Sequence, residues 1–373
     1  MRLSLISLLA LAGLLSCHVD RPFEEPKPGD RIVQCKGRAY YLDAICEDEK
    51  EYLDWASKAY PEYPKFSNLT RDVLQKITVE TKDVDKAASL FYERSLRDRN
   101  NIEMMEFIGV KEKELAKRVP DYTGEKVLLA LVPGMFWMDN PEVGAAGEQL
   151  RELADQMGMT SSIVPVEQTG TVEKNGKDIC EFLQQQTDVK SIIVASISKG
   201  GGDMKKALQY CGNTPAFRKV RAWFNIAGIT AGSQLVNGIN DTIAYKAEAR
   251  AYFCFKGYNW DGMMSMRAAN DAPLEFEVSV PKHIMVVNVI AVPLFRYVSS
   301  RAKPYYQYMI KYGPNDGITL LADSYVPGGS TYISFRNDHY FRNPISEQKM
   351  QAFLVYIMSK PFQAPPPVAS ASP

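Results

Sequence analysis

The chain has 373 residues, of which 46% are apolar and 24% charged, an ordinary globular balance with enough length for one large core or two small ones. Lysine plus arginine and aspartate plus glutamate number 44 each, a net charge of zero, which leaves no electrostatic footprint for nucleic acid. His18, His283 and His339 are the three histidines; with no Cys/His cluster there is no set of soft metal ligands, although carboxylates remain for a structural Ca²⁺, and no cofactor or catalytic metal is expected.

Arg2 and the apolar run 3–15 form a targeting segment too short to span a bilayer. It ends in Leu14-Leu15-Ser16-Cys17, which resembles the lipobox of bacterial lipoproteins. The resemblance implies removal of residues 1–16 and acylation of Cys17, so that lipid chains rather than a helix hold the protein on a membrane. His18, where an aspartate would signal inner-membrane retention, directs the expectation to the outer membrane, facing periplasm or exterior. The alternative is an ordinary signal peptide with an incidental cysteine. Residues 17–30, with Pro22, Pro26 and Pro28, read as a tether that includes His18.

Residues 31–120 are mostly helical in pattern, with helices expected at 49–60, 70–81, 84–97 and one ending near Arg118. Leu90, Phe91, Leu96, Met104, Met105 and Phe107 read as core. Cys35 and Cys46 suit a disulfide in an exported chain. The pattern then changes to alternating strand and helix over the unit 121–362. Strands are expected at 127–132, 162–166, 191–195, 222–226, 283–292 and 332–335, and helices at 141–157 (with Pro141 in the first turn), 175–186 and 204–210. This order calls for a mainly parallel sheet with helices on both faces, an α/β fold. Residues 363–373 read as a disordered tail.

The stretch Ser196-Ile197-Ser198-Lys199-Gly200 follows an apolar strand and opens a helix. It resembles the nucleophile elbow of the α/β-hydrolase family, small-x-Ser-x-small, with Ser196 standing where glycine is usual. The turn is tight enough that the residues two before and two after the nucleophile must be small, and the nucleophile takes a strained conformation. The plainer reading, a phosphate loop at a helix start, lacks both GxxxxGK[ST] and GxGxxG.

The resemblance implies a bacterial lipase- or esterase-like serine hydrolase, with the order nucleophile, acid, histidine. Ser198 takes the nucleophile's place. Asp316, in Asn315-Asp316-Gly317, resembles the acid of the bacterial lipase loop, where an Asp-Gly opens a turn after a strand. His339, 23 residues on, matches the base. Asp323 and Asp338 are rival acids and Ser196 a rival nucleophile; His283 reads as structural. The oxyanion-hole amides implied are those of Lys199 and of Met135, after Pro133-Gly134. The fold also brings Cys180 and Cys211 within reach of pairing, which leaves Cys254 over. The segment 231–281, with Tyr252, Phe253, Phe255, Tyr258, Trp260, Met263, Met264 and Met266, is either a lid that adapts to an apolar substrate or packing on the core.

Two functions follow from this reading. One is cleavage of small-molecule or lipid carboxylic esters through an acyl-enzyme on Ser198. The other is a catalytically silent hydrolase-fold lipoprotein that binds an apolar ligand or a protein partner.

Overall fold

A computed structural model describes residues 47–342 and 345–366. The leader 1–16, Cys17, the tether, the Cys35–Cys46 pair, the first part of the helical extension and most of the tail lie outside the described residues.

Six strands form one all-parallel sheet: β1 Val127–Val132, β2 Thr160–Ile163, β3 Ser191–Ile197, β4 Val220–Ile226, β5 Met285–Val292 and β6 Ser330–Phe335, in the order β2-β1-β3-β4-β5-β6. The inner strands β1, β3, β4 and β5 are mainly apolar and buried because helices cover both faces, while the edge strands β2 and β6 carry more polar residues. Alternate residues serve opposite layers. Leu129, Leu131, Ile193, Ala195, Phe224 and Val287 pack on one side. Leu128, Ala130, Val132, Ile192, Val194 and Trp223 pack on the other.

The N-terminal helices are α1 Glu47–Lys58, α2 Arg71–Thr81, α3 Val84–Ser95 and α4 Arg99–Leu115. Three side chains set the breaks between them: Thr70, Asp83 and Asp98 each cap the following helix through a backbone N–H. Leu74, Ile77, Leu90 and Phe91 are buried against Ile290, Val292 and Ile333 of the last two strands. Met104 and Ile108 of α4 join the first face of the sheet. Leu96 caps α3, half-buried. The edge strand β6 is covered, and Asn101 Oδ1 accepts the Thr331 N–H at 2.6 Å. A side chain of the extension thereby occupies a main-chain donor that an open sheet edge would expose.

Residues 141–157 are not one helix. A short 3₁₀ turn at Pro141–Val143 gives way to Gly144 (φ 66°) and Gly147 (φ 58°), and only then does α5, Glu148–Gln156, begin. A Cβ on Gly147 would lie 2.6 Å from Leu131 Cδ1, so both the backbone conformation and the close approach to β1 require glycine there. Strand β2 lies slightly earlier than its apolar residues suggest, and Val164 extends its pairing through a bond to Leu131 O at 2.8 Å. Helix α6, Val172–Gln185, and α7, Lys199–Cys211, are joined by a Cys180–Cys211 disulfide with Cα atoms 6.1 Å apart. Cys254 is free and exposed. The insertion holds α8 Gln234–Asp241, α9 Ile243–Lys256 and α10 Trp260–Met264; α11, Lys303–Met309, and α12, Glu347–Ser359, complete the described helices.

Candidate active site

The strand order reverses between β1 and β3, and in open parallel sheets ligand sites form at such a point, beyond the carboxyl ends of the strands. Ser198 stands there, directly between β3 and α7, with φ 53° and ψ −120°. This is a conformation that non-glycine residues rarely hold. Its N–H donates to Ile226 O at 3.0 Å, and its carbonyl accepts from Gly201 N at 3.0 Å and Ile229 N at 2.9 Å. Gly200 is small for a reason other than contact with Ser196. A Cβ there would lie 2.4 Å from Val132 O and 2.9 Å from Pro133 O, so the end of β1 sets the limit.

The side chain of Lys199 is buried inside the first turns of α7. It is 1% exposed and pairs with Asp203 at 2.6 and 2.8 Å, and Asn175 donates to Asp203 at 2.8 Å. This buried pair locks the first turn of α7; its signal in the sequence is the i,i+4 spacing of Lys199 and Asp203. The first amides of a helix have no intrahelical acceptor. In the turn after β1, Gly134 donates to Ala145 O at 2.9 Å and Phe136 to Gln168 O at 3.4 Å. The N–H groups of Met135 and Lys199 donate to no protein group among the described residues. Gly134 packs on the turn at Ser198, since a Cβ there would lie 3.3 Å from Ser198 Cβ.

Asp316 and His339 come from the loops that flank β6. The segment before Asp316 is α11 and a 3₁₀ turn at Ile310–Tyr312, not a strand; Pro304 sits in the first helical turn, where its missing N–H costs nothing. The Asn-Asp-Gly turn is set by Asp316 Oδ1, which accepts from Ile318 N at 2.9 Å and Thr319 N at 2.8 Å, with Gly317 at φ 100°. The second oxygen is thereby left for the imidazole. Asp316 Oδ2 lies 2.7 Å from His339 Nδ1, and His339 Nε2 lies 2.9 Å from Ser198 Oγ. Burial pushes the His339 imidazolium pKa down, but the charge of Asp316 and its hydrogen bond outweigh burial and hold it above the usual histidine range.

The rivals are engaged elsewhere. Asp338 accepts from Ser299 N at 2.7 Å and Tyr340 N at 3.0 Å. Asp323 pairs with Arg71 at 3.0 Å. Ser196 Oγ is fully buried and accepts from Trp223 Nε1 at 2.8 Å. His283 Nε2 lies 3.1 Å from Phe217 O, just before the start of β5, whereas Ser198 follows the end of β3. Among the described residues no three His, Cys, Asp or Glu side chains gather to hold a metal ion, and no helix is long and apolar enough to cross a membrane.

The insertion contacts the turn after β1. Phe253, Met263 and Met266 are buried with Ile229 and Leu274, and Met135, Phe136, Tyr258, Trp260 and Ile318 pack against them. The rings of Phe136 and Tyr258 have centroids 4.9 Å apart, and Tyr258 Oη donates to Asp139 Oδ2 at 2.7 Å. Phe255 and Ile243, by contrast, are exposed.

The parallel sheet, its helical layers and the turn at Ser198 together are the α/β-hydrolase fold, and this chain has it. No family model and no curated protein sequence matches the chain. Among solved structures it is similar to the metagenomic carboxyl esterase MGS0156, with a TM-score of 0.55 and 17% identity over 68% of this chain and 90% of that one. It is also matched to the mature Bacillus licheniformis lipase BlEst2, with a TM-score of 0.44 and 18% identity over 65% of this chain and 92% of that one.

Proposed function

We propose that the protein is a serine hydrolase that cleaves carboxylic esters through an acyl-enzyme on Ser198. The observation that carries the reading is the unbroken chain Asp316–His339–Ser198, with contacts of 2.7 and 2.9 Å at a strained strand-to-helix turn. His339 Nε2 removes the Ser198 proton as Oγ attacks the ester carbonyl. Asp316 holds the ring with Nδ1 protonated and stabilises the imidazolium. The tetrahedral oxyanion is met by the N–H groups of Met135 and Lys199. Collapse expels the alcohol, which takes its proton from His339, and a water activated by the same nitrogen then releases the acid.

The reading includes anchoring to a bacterial cell envelope through an acylated Cys17, supported by Leu14-Leu15-Ser16-Cys17. The substrate is a small-molecule or lipid ester; the apolar and aromatic side chains around Met135 favour an apolar acyl group. Labelling by a fluorophosphonate probe, with the adduct mapped to Ser198, tests the reading, and p-nitrophenyl esters of rising chain length then define the acyl preference. Intact protein that neither labels nor turns over any of these esters is a silent member of the fold.

A further inference from the structure

Beneath the nucleophile turn a row of polar side chains crosses four strands in register: Ser196 beside Asn225, Asn225 beside Asn288, Asn288 beside Thr331. All four are buried, three of them completely. Polar groups at such positions persist only when their hydrogen bonds are made. Trp223 Nε1 can only donate, so Ser196 Oγ accepts it, at 2.8 Å. The Ser196 proton then goes to Asn225 Oδ1 at 3.2 Å. The other end of the amide agrees with this orientation: Asn225 Nδ2 donates to Asn288 Oδ1 at 3.2 Å and to the Ser324 carbonyl, which can only accept, at 3.3 Å. Asn288 Nδ2 in turn donates to Thr331 Oγ1 at 3.3 Å. From Ser196 onward the donors run in one direction across the sheet, from β3 to β6.

The oxygen end of the Asn225 amide is wedged under the elbow. A Cβ on Gly228 would lie 2.0 Å from Asn225 Oδ1, and one on Gly201 would lie 2.8 Å from the same atom. Gly201 belongs to the first turn of α7, and Gly228 lies between Ile226 and Ile229, the two residues whose main chains grip Ser198 N and O. Ala227, in the same turn, has φ 45°. A strained turn keeps its conformation only where its surroundings over-determine it. We propose that Asn225, oriented by the Ser196 hydroxyl, is a positioning residue for Ser198. It touches no reacting atom and acts through the Gly201 and Gly228 backbones. Ser196, in place of the glycine usual at this point of the elbow, supplies the donor to Asn225 Oδ1, and the Ser324 carbonyl, which can only accept, holds Nδ2 on the other side.

This inference rests on Ser198 being the nucleophile, and the test separates the two ideas. The second-order rate of fluorophosphonate labelling, with kcat and KM for a p-nitrophenyl ester, is measured for wild type, Ser196→Ala, Asn225→Ala and the buried-core control Val287→Ala, each well below its own melting temperature. An unlabelled wild type overturns the hydrolase reading and this inference with it. With wild type labelled, the expectation is a fall in labelling rate and kcat of about ten- to a hundredfold in Ser196→Ala, little change in KM, and Val287→Ala near wild type, because small displacements of a nucleophile act on the rate of attack. Ser196→Ala removes a single oxygen and serves where Asn225→Ala does not fold. If folded Ser196→Ala labels as fast as wild type, or slows no more than Val287→Ala, the row is only part of the core and the proposal is wrong.

Discussion

His339 and Asp316 are joined twice: Nδ1 lies 2.7 Å from Asp316 Oδ2, and the His339 N–H donates to the Asp316 carbonyl over 2.9 Å. The pairing of side chains is thus reinforced by a pairing of loops. Under the proposed function, Ser198→Ala and His339→Ala lower kcat by about 10⁴-fold or more while the melting transition remains. Asp316→Asn is also severe, whereas Asp338→Asn and Asp323→Asn keep most of the rate in the folded protein, since those carboxylates bond to Ser299 and Tyr340 amides and to Arg71. Steady-state kinetics of the three aspartate variants decide it; an active Asp316→Asn beside an inactive Asp338→Asn reverses the assignment of the acid.

The pH profile follows from the same contact. The imidazole must be neutral to act as base, so kcat/KM falls as pH drops through the His339 pKa. Asp316 raises that pKa above the usual value of about 6.5, so the acid limb of wild type lies on the alkaline side of 6.5. Asp316→Asn removes the charge that raises it and moves the limb of its residual activity downward. An acid limb at or below the usual histidine range in wild type contradicts the electrostatic account.

The elbow was legible because tight backbone geometry restricts residue size: an apolar strand, then Ser198, then Gly200. The order of Asp316 and His339 along the chain followed from the family resemblance. What stayed hidden were constraints made between distant segments. The amphipathic pattern of 141–157 says helix, but Gly144 and Gly147 take left-handed backbone, and at Gly147 the chain passes close to β1. The limit on Gly200 comes from Val132, in another strand. Arg71 and Asp323 lie 252 residues apart and carry no local signal of their pairing.

That pair predicts how the N-terminal helices matter. Burial pushes the Asp323 carboxyl up to about 6 even though Arg71 acts to lower it. A carboxyl with a folded pKa above its unfolded value of about 3.9 favours the fold below that value, and its contribution is lost as pH rises through 6. Arg71→Ala removes the compensating cation and leaves the carboxylate buried. The expected loss is about 1–3 kcal/mol at neutral pH, shrinking below pH 5 where Asp323 is neutral. Urea denaturation at several pH values checks this; a pH-independent loss means that Arg71 acts through packing alone.

Membrane attachment is predicted to depend on one atom, the Cys17 sulfur. In Cys17→Ser the protein leaves the membrane fraction or stays unprocessed. Fractionation with detergent extraction reads the outcome. Normal processing and unchanged membrane partition in Cys17→Ser rule out lipidation there.

The insertion predicts an acyl-chain preference that single side chains control. Phe253 is buried between Phe136 and Trp260, with ring centroids 5.8 and 5.7 Å away, and Phe136 directly follows Met135 in the turn that faces Ser198. Phe253→Ala removes a ring from this wall without touching Ser198, His339 or Asp316. A hydrophobic pocket distinguishes one methylene by about 1–3 kcal/mol, so the ratio of long- to short-chain ester hydrolysis shifts by about tenfold or more. Tyr258→Phe removes the hydroxyl bond to Asp139, which retains the Gln168 amide at 2.8 Å; the profile shifts less and stability changes by at most about 1 kcal/mol. Phe255→Ala is the control, because its ring is 86% exposed on the same helix, and its profile matches wild type. Rates on p-nitrophenyl esters of increasing length give the ratio for each variant. If Phe253→Ala keeps the wild-type profile, the insertion packs on the core without shaping the acyl site.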